Sequence, residues 1–122
     1  MLNKIVIAGR LTRDPELRYT QSQTPVATFT VAVERDFGNK ETDYIDVTAW
    51  RQIGEFVNKY FFKGRMILVS GRLQSRTWTD KDGNKRTAWE INAENVYFGG
   101  ERRADAGYSA EAAVDVPPPE FT

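Results

Sequence analysis

The chain has 122 residues, of which 17 are Lys or Arg and 17 are Asp or Glu, so its formal net charge is zero. It contains no Cys and no His, which excludes a disulfide framework, a thiolate nucleophile and the commonest metal-binding and general-base side chains. One ordinary domain fits this length. No stretch approaches the roughly 20 apolar residues of a membrane span, and no signal peptide is recognisable, so we expect a cytoplasmic protein.

Alternation of apolar and polar residues predicts extended strands through the first half of the chain. Leu2–Leu11 is apolar on both faces, which is typical of a strand that is covered on both sides. The second face of this strand therefore needs a partner. The next two predicted strands each have one apolar face, formed by Phe29, Val31 and Val33 within 26–35 and by Ile45, Val47 and Ala49 within 43–50.

The second half predicts one helix and a long hairpin. The helix is indicated by apolar residues at helical spacing and is expected to end at Lys63-Gly64. Met66–Trp78 alternates again, with Gly71 as the site of a bend or bulge, and the Asp82-Gly83 turn signal joins it to a last strand over 86–96. Three strands, one helix and two strands match an all-β fold with one helix, a five-stranded OB-fold barrel with extended β-hairpins. The apolar residues of the helix are Ile53, Phe56, Val57, Tyr60 and Phe61.

Several aromatic rings are left on faces that point away from the predicted core. A large exposed ring that recurs beside cations needs a reason. Rings stack unpaired bases and cations neutralise phosphates, so this combination is typical of a surface that binds single-stranded nucleic acid. The rings are Phe37 in a polar loop, Tyr44, Trp50 and Trp78, and Trp78 is in phase with Arg72 and Arg76.

Two other functions are compatible with the same residues. An outward Tyr or Trp can instead cover a helix or a neighbouring subunit, which would make the chain a protein-interaction module. Stacking surfaces also accept single-stranded RNA. Trp89 differs from the other rings, because it shares a face with Ile91 and Ala93 and is predicted to lie in the core or in an interface.

Enzymatic groups are scarce. The neighbouring carboxylates have no His or Cys to work with and are interpreted as solvated charge. No glycine-rich phosphate-binding motif is present. We therefore expect no catalysis, no cofactor and no metal. The carboxylate pairs are Asp14/Glu16, Asp80/Asp82 and Glu90/Glu94.

The composition changes after Gly99-Gly100. Residues 1–100 carry 15 basic and 12 acidic groups, whereas residues 101–122 carry 2 and 5. The second segment contains three consecutive Pro and few large apolar residues, too few to offset the entropy of ordering it. We predict a folded domain over 1–100, with a net charge of +3, and a mobile, mildly acidic tail over 101–122.

Four segments resemble bacterial single-stranded DNA-binding proteins. The first strand continues into GRLTRDPELRY at 9–19, which is similar to the opening of that family, and the resemblance covers about residues 1–98. The other segments are VATFTVAV at 26–33, VSGRL at 69–73 and RTWTDKDG at 76–83.

The resemblance implies an OB-fold protein that coats and protects single-stranded DNA during replication, recombination and repair, with little sequence preference. It further implies a homo-oligomer, usually a tetramer, that pairs through the N-terminal strand, and a place at the nucleoid. A family tail docks replication and repair proteins, but here Pro does not directly precede Phe121 and Thr122 follows it. The DNA-binding positions implied are the rings Phe37, Tyr44, Trp50 and Trp78 and the basic residues Arg10, Arg18, Arg72, Arg76 and Lys85.

Overall fold

A computed structural model describes residues 1–36 and 41–99 of the chain. Phe37 and the predicted tail over 101–122 lie outside the described residues. The elements are β1 (Ile5–Leu11), β2 (Glu16–Tyr19), β3 (Pro25–Glu34), β4 (Thr42–Trp50), α1 (Arg51–Tyr60), β5 (Met66–Thr79) and β6 (Lys85–Phe98).

Five of the six strands in the described part close into a barrel. The hydrogen-bonded order β1-β5-β6-β4-β3 returns to β1, where Arg10 lies opposite Ala32 and Leu11 opposite Val31. A Cβ at Gly9 would collide with the carbonyl oxygen of Ala32, so this closure requires glycine. The five-stranded barrel predicted from the element order is confirmed. The structure adds β2, a short strand that is paired with the beginning of β3 and is not among the predicted strands.

The barrel interior holds the apolar faces that the period-two pattern predicts. Alternate residues of a strand point to opposite sides, so one face of each strand is buried here while the other faces outward. The half-buried Val33 and Ile45 pack against this interior. Its buried members include Phe29, Val31, Val47, Ala49, Ile67, Val69, Ile91 and Val96.

Helix α1 lies between β4 and β5 and packs Phe56 and Val57 against the barrel. It ends at Tyr60, so the predicted end at Lys63-Gly64 is wrong by about one turn. Phe61 adopts an extended conformation and is buried. The chain then hydrogen bonds to the end of β1, because Gly64 N–H donates to Leu11 O at 2.8 Å and Leu11 N–H donates to Arg65 O at 3.1 Å.

The β5–β6 hairpin extends beyond the barrel. The parallel pairing of β4 with β6 involves Ile91 and Asn92, and the hairpin continues past them until Thr79 lies opposite Lys85. The register shifts between Ser70 and Gly71, so the predicted irregularity is present, but the extra residue is Glu94 on β6, because Ser70 lies opposite Asn95 and Gly71 opposite Ala93.

Trp89 is not part of the core, so that part of the prediction is wrong. Its register does place it on the same face as Ile91, which is fully buried. Trp89 nevertheless lies beyond the end of the barrel, where no second layer covers this face in the described part of the chain, and 60 % of it is exposed.

Candidate nucleic-acid interface

On the outer face of the barrel, a cation lies on one side of Ala32 and an aromatic ring lies on the other. Arg10 on β1 and Tyr44 on β4 both lie opposite Ala32 on β3, and paired residues in adjacent strands point to the same side. Both residues line an open groove of about 690 Å³. Arg10 donates to Gly64 O at 2.9 Å, while Tyr44 is 68 % exposed. Tyr44 therefore presents its ring to solvent beside a positively charged side chain.

A second row of the same outer face carries Trp50. Trp50 on β4 and Arg18 on β2 both lie opposite Val26 on β3. Tyr44 and Trp50 are six residues apart on one strand, which separates them by roughly 20 Å. Between them, Asp46 accepts a hydrogen bond from Thr30 Oγ1 at 2.9 Å. The two rings thus lie along one line on the surface, and the acid between them is hydrogen bonded.

One row of paired residues connects this outer face to the hairpin. Arg72 on β5 lies opposite Asn92 on β6, Asn92 is paired with Thr48 on β4, and Thr48 lies opposite Thr28 on β3. The row ends at Glu16 on β2. Because every member points to the same side of the sheet, the outer face of β3 and β4 continues onto the Arg72 side of the hairpin.

That side of the hairpin, the arginine face, carries Arg72, Gln74, Arg76 and Trp78 on β5 and their partners Asn92, Glu90, Ala88 and Arg86 on β6. The guanidinium of Arg76 lies over the Trp78 ring, with its Cζ 5.0 Å from the ring centroid. The nearest carboxylate contact of Arg76 is long, 4.0 Å to Glu90 Oε1. Trp78 remains 42 % exposed. Arg76 therefore supports the ring and still carries a charge that a phosphate can contact.

The turn at the tip of the hairpin is held by Asp80. Its side chain accepts hydrogen bonds from Arg86 Nε at 2.8 Å and from the backbone N–H groups of Asp82 and Asn84, both at 2.9 Å. The Arg86 hydrogen bond is the main cause that lowers the pKa of Asp80, and the backbone donors lower it further. Arg86 lies opposite Trp78, so this ion pair fixes the strand end that carries the ring.

Arg35, at the beginning of the β3–β4 connection, is already neutralised by carboxylates. It donates from Nε and NH2 to both carboxylate oxygens of Asp43, at 3.0 and 2.9 Å, and from NH1 to Glu41 at 2.9 Å. The hydrogen bond with Asp43 raises the pKa of Arg35 and lowers the pKa of Asp43. This bidentate pair contributes little positive charge to a phosphate-binding surface and instead ties the two strand ends together.

The structure thus brings most of the predicted site residues to one outer surface. Among the predicted site residues that the structure describes, Lys85 is the exception, because it lies opposite Thr79 and so points to the other side of the hairpin from Trp78. The side of the hairpin to which Lys85 points depends on the length of the turn. The sequence indicates that turn only by Asp82-Gly83 and does not give its length. The predicted residues on the shared surface are Arg10, Arg18, Tyr44, Trp50, Arg72, Arg76 and Trp78.

Residues 1–36 and 41–99 contain neither a metal-binding cluster nor a membrane-spanning helix. No group of three or more His, Cys, Asp or Glu side chains is arranged to hold a metal ion. No helix in these two ranges is long and apolar enough to cross a membrane.

The family model of the single-strand binding protein family matches residues 2–99 of the chain. The chain belongs to this family. The match covers the whole barrel, the hairpin and every site residue placed above.

Curated proteins with similar sequences have names that agree with this family match. The chain is 43 % identical over 102 residues to a single-stranded DNA-binding protein of Caldanaerobacter subterraneus subsp. tengcongensis. It is 45 % identical to single-stranded DNA-binding protein 2 of Listeria monocytogenes and to single-stranded DNA-binding protein 1 of Staphylococcus aureus. Each match covers 80 % of this chain, but 68 %, 64 % and 65 % of the respective relatives, so the chain spans about two thirds of their length.

Proposed function

We propose that this chain is a non-catalytic protein that binds single-stranded DNA with little regard to sequence, and that it coats and protects unpaired DNA in replication, recombination and repair. Family membership and the names of the relatives support this function. The structural observation that carries the proposal is the continuous outer face from β3 and β4 to the arginine face of the hairpin.

The binding mechanism combines stacking with phosphate neutralisation. Tyr44, Trp50 and Trp78 are exposed on that face, and each stacked base contributes about 1–3 kcal/mol. Because every base has a flat face, stacking discriminates little between sequences. Arg18 and Arg72 are exposed on the same face as these rings, and neutralising phosphates releases counterions, so affinity should fall as salt rises. Phe37 and Lys85 are also proposed to bind DNA, on the basis of the resemblance.

The exposed apolar residues on the outer face of β1 favour a homo-oligomer. Val6 is 68 % exposed, and Ala8 lies in a row with Leu68 on β5 and Tyr97 on β6, of which Tyr97 is half exposed. In the described chain β1 pairs with β3 at Arg10 and Leu11, so the edge of its first five residues is open to a strand of a second copy. We propose that a second copy covers this patch and edge, and that two such dimers form the tetramer.

Titration of the intrinsic Trp fluorescence with poly-dT, at two salt concentrations and with duplex DNA as a control, tests the function. Quenching by the single strand alone, and less quenching at higher salt, is the expected result. If the single strand does not quench at low salt, Trp50 and Trp78 face protein and the interaction-module hypothesis replaces the proposal. Competition between dT and rU oligomers of equal length separates DNA from RNA binding.

The segment over 101–122 is proposed to contact replication and repair proteins, and the protein to work at the nucleoid in the cytoplasm. The net charge of −3 and Phe121 are the sequence features that favour such contacts. Co-sedimentation of purified replication proteins with the full chain and with Phe121→Ala tests this. Equal recovery with both chains would contradict a role for Phe121.

A further inference from the structure

The side of the hairpin opposite to the arginine face carries an exposed ring that the proposed function does not use. This reverse face consists of Leu73, Ser75, Thr77, Thr79, Lys85, Thr87 and Trp89. Trp89 is 60 % exposed, more than Trp50 or Trp78.

The charge of the reverse face favours an anionic partner. Its strand residues include one cation, Lys85, and no carboxylate. Of the acids at the tip, Asp80 is bonded to Arg86, and Asp82 is adjacent to Lys81 in the turn. Thr77 and Thr87 are paired across the two strands, so both hydroxyls lie on the reverse face and can donate hydrogen bonds.

The surroundings of Trp89 differ from the centre of a typical protein interface. Such centres are apolar and well packed, whereas Trp89 has only two apolar neighbours on this face, Ile91, which is buried in the barrel, and the 37 % exposed Leu73, and its other neighbours on the hairpin carry hydroxyls. A lone ring among hydroxyls and a cation is instead what a stacked base and its phosphate require. The two-stranded ribbon also separates the ring from the arginine face by a single layer of backbone, so one nucleic acid strand that passes over the hairpin edge can contact both.

We infer that the reverse face is a second contact for single-stranded DNA, in which Trp89 stacks a base and Lys85, four residues earlier on β6, contacts a phosphate of the same DNA strand. This inference rests on the proposed function. It adds to that function a path for the strand around both sides of the hairpin, so each protomer would contact more nucleotides than the outer face alone allows.

Affinity measurements with a fluorescein-labelled dT oligomer test the inference. Trp89→Ala is expected to weaken binding by about 5- to 150-fold, the range for loss of one stacked base, and Trp89→Phe to recover most of that loss. Phe62→Ala is the matched control, because Phe62 is 52 % exposed but precedes β5 at the strand end farthest from the hairpin tip. Unchanged affinity of Trp89→Ala would overturn the inference, as would an equal loss with Phe62→Ala.

Fluorescence of the single remaining indole provides an independent test. The chain has three Trp, so the double variant Trp50→Phe, Trp78→Phe reports on Trp89 while it keeps two rings that can stack. Quenching of Trp89 by dT supports the inference. Binding of the labelled oligomer without quenching overturns it, and so does a Trp89 emission that changes on dilution without DNA, because a second copy would then cover the face. Failure of the parent chain to bind dT at all would instead refute the proposed function.

Discussion

Replacing Trp78 by Ala should weaken binding to single-stranded DNA about tenfold and leave the fold intact. Trp78 is 42 % exposed, which corresponds to about 100 Å² of the roughly 250 Å² that a large aromatic side chain can bury. A base stacked on one side of the ring covers about 60 Å² of this area. At about 25 cal/mol per Å² this gives about 1.5 kcal/mol, which is roughly a tenfold change in Kd.

The fold should tolerate this change because the tip of the hairpin lies outside the barrel core. The principal interaction lost within the protein is that with the guanidinium of Arg76, whose Cζ is 5.0 Å from the ring centroid. A cation–π contact at an exposed site is worth about 0.5–1 kcal/mol. Urea unfolding of Trp78→Ala should therefore show a loss of about 1 kcal/mol or less.

The assay is fluorescence anisotropy of a labelled dT oligomer over a series of salt concentrations, with Arg76→Gln as the comparison. Stacking involves no counterion, so Trp78→Ala should keep the parent slope of log K against log salt, whereas Arg76→Gln should reduce the slope by about 0.7 for one lost phosphate contact. Binding of Trp78→Ala within twofold of the parent would refute the stacking assignment. A change of slope as large as that of Arg76→Gln would show that the ring acts only by holding Arg76.

The remaining predictions concern charge, core, turn and assembly. Arg72→Gln should lower the salt slope by about 0.7 without changing the urea midpoint, and an unchanged slope would remove Arg72 from the interface. Phe29→Ala, in the buried core, should cost about 3–5 kcal/mol in urea unfolding, and a smaller cost would show that the barrel can repack. The pKa of Asp80 is lowered in the fold from its ordinary 3.8. The stabilising contribution of its carboxylate is therefore complete above that value and is lost as the pH falls through the lowered pKa. Between about pH 6 and pH 2 the melting temperature should fall less for Asp80→Asn than for the parent chain. Val6→Asp should reduce the sedimentation coefficient by dissociating oligomers, and no change would place the subunit contact elsewhere.

The residues that face the core were predictable because strand alternation is a local property. Ile45, Val47 and Ala49 repeat at period two, so they share a face wherever the strand lies, and the rings of Tyr44 and Trp50 must then point away from it. The place of the register shift was predictable from Gly71, since a glycine that interrupts a long alternating strand marks an irregularity or a close approach of the neighbouring backbone, but the extra residue itself, Glu94, lies on the partner strand β6.

The end of the helix and the short strand β2 were not predictable in the same way. Glu16–Tyr19 has only four residues, the shortest length at which alternation indicates a strand, and only Leu17 among them is partly buried. It is a strand because it lies beside the beginning of β3. Similarly, α1 stops at Tyr60 because the following residues hydrogen bond to Leu11, which is about 50 positions earlier in the chain. Contacts between such distant segments leave no local pattern.

The sequence alone therefore determined which residues of each strand face inward, which of the described rings and arginines point away from the core, and the family that these motifs resemble. Only the tertiary structure decided where the barrel ends, and thus that Trp89 is exposed although its strand face continues into the core. It also decided that Arg72 joins the outer face of β4, through the parallel pairing of Asn92 with Thr48. The physical reason is that alternation is set by the backbone of one strand, whereas register and the extent of the core depend on which strands meet and where their pairing stops.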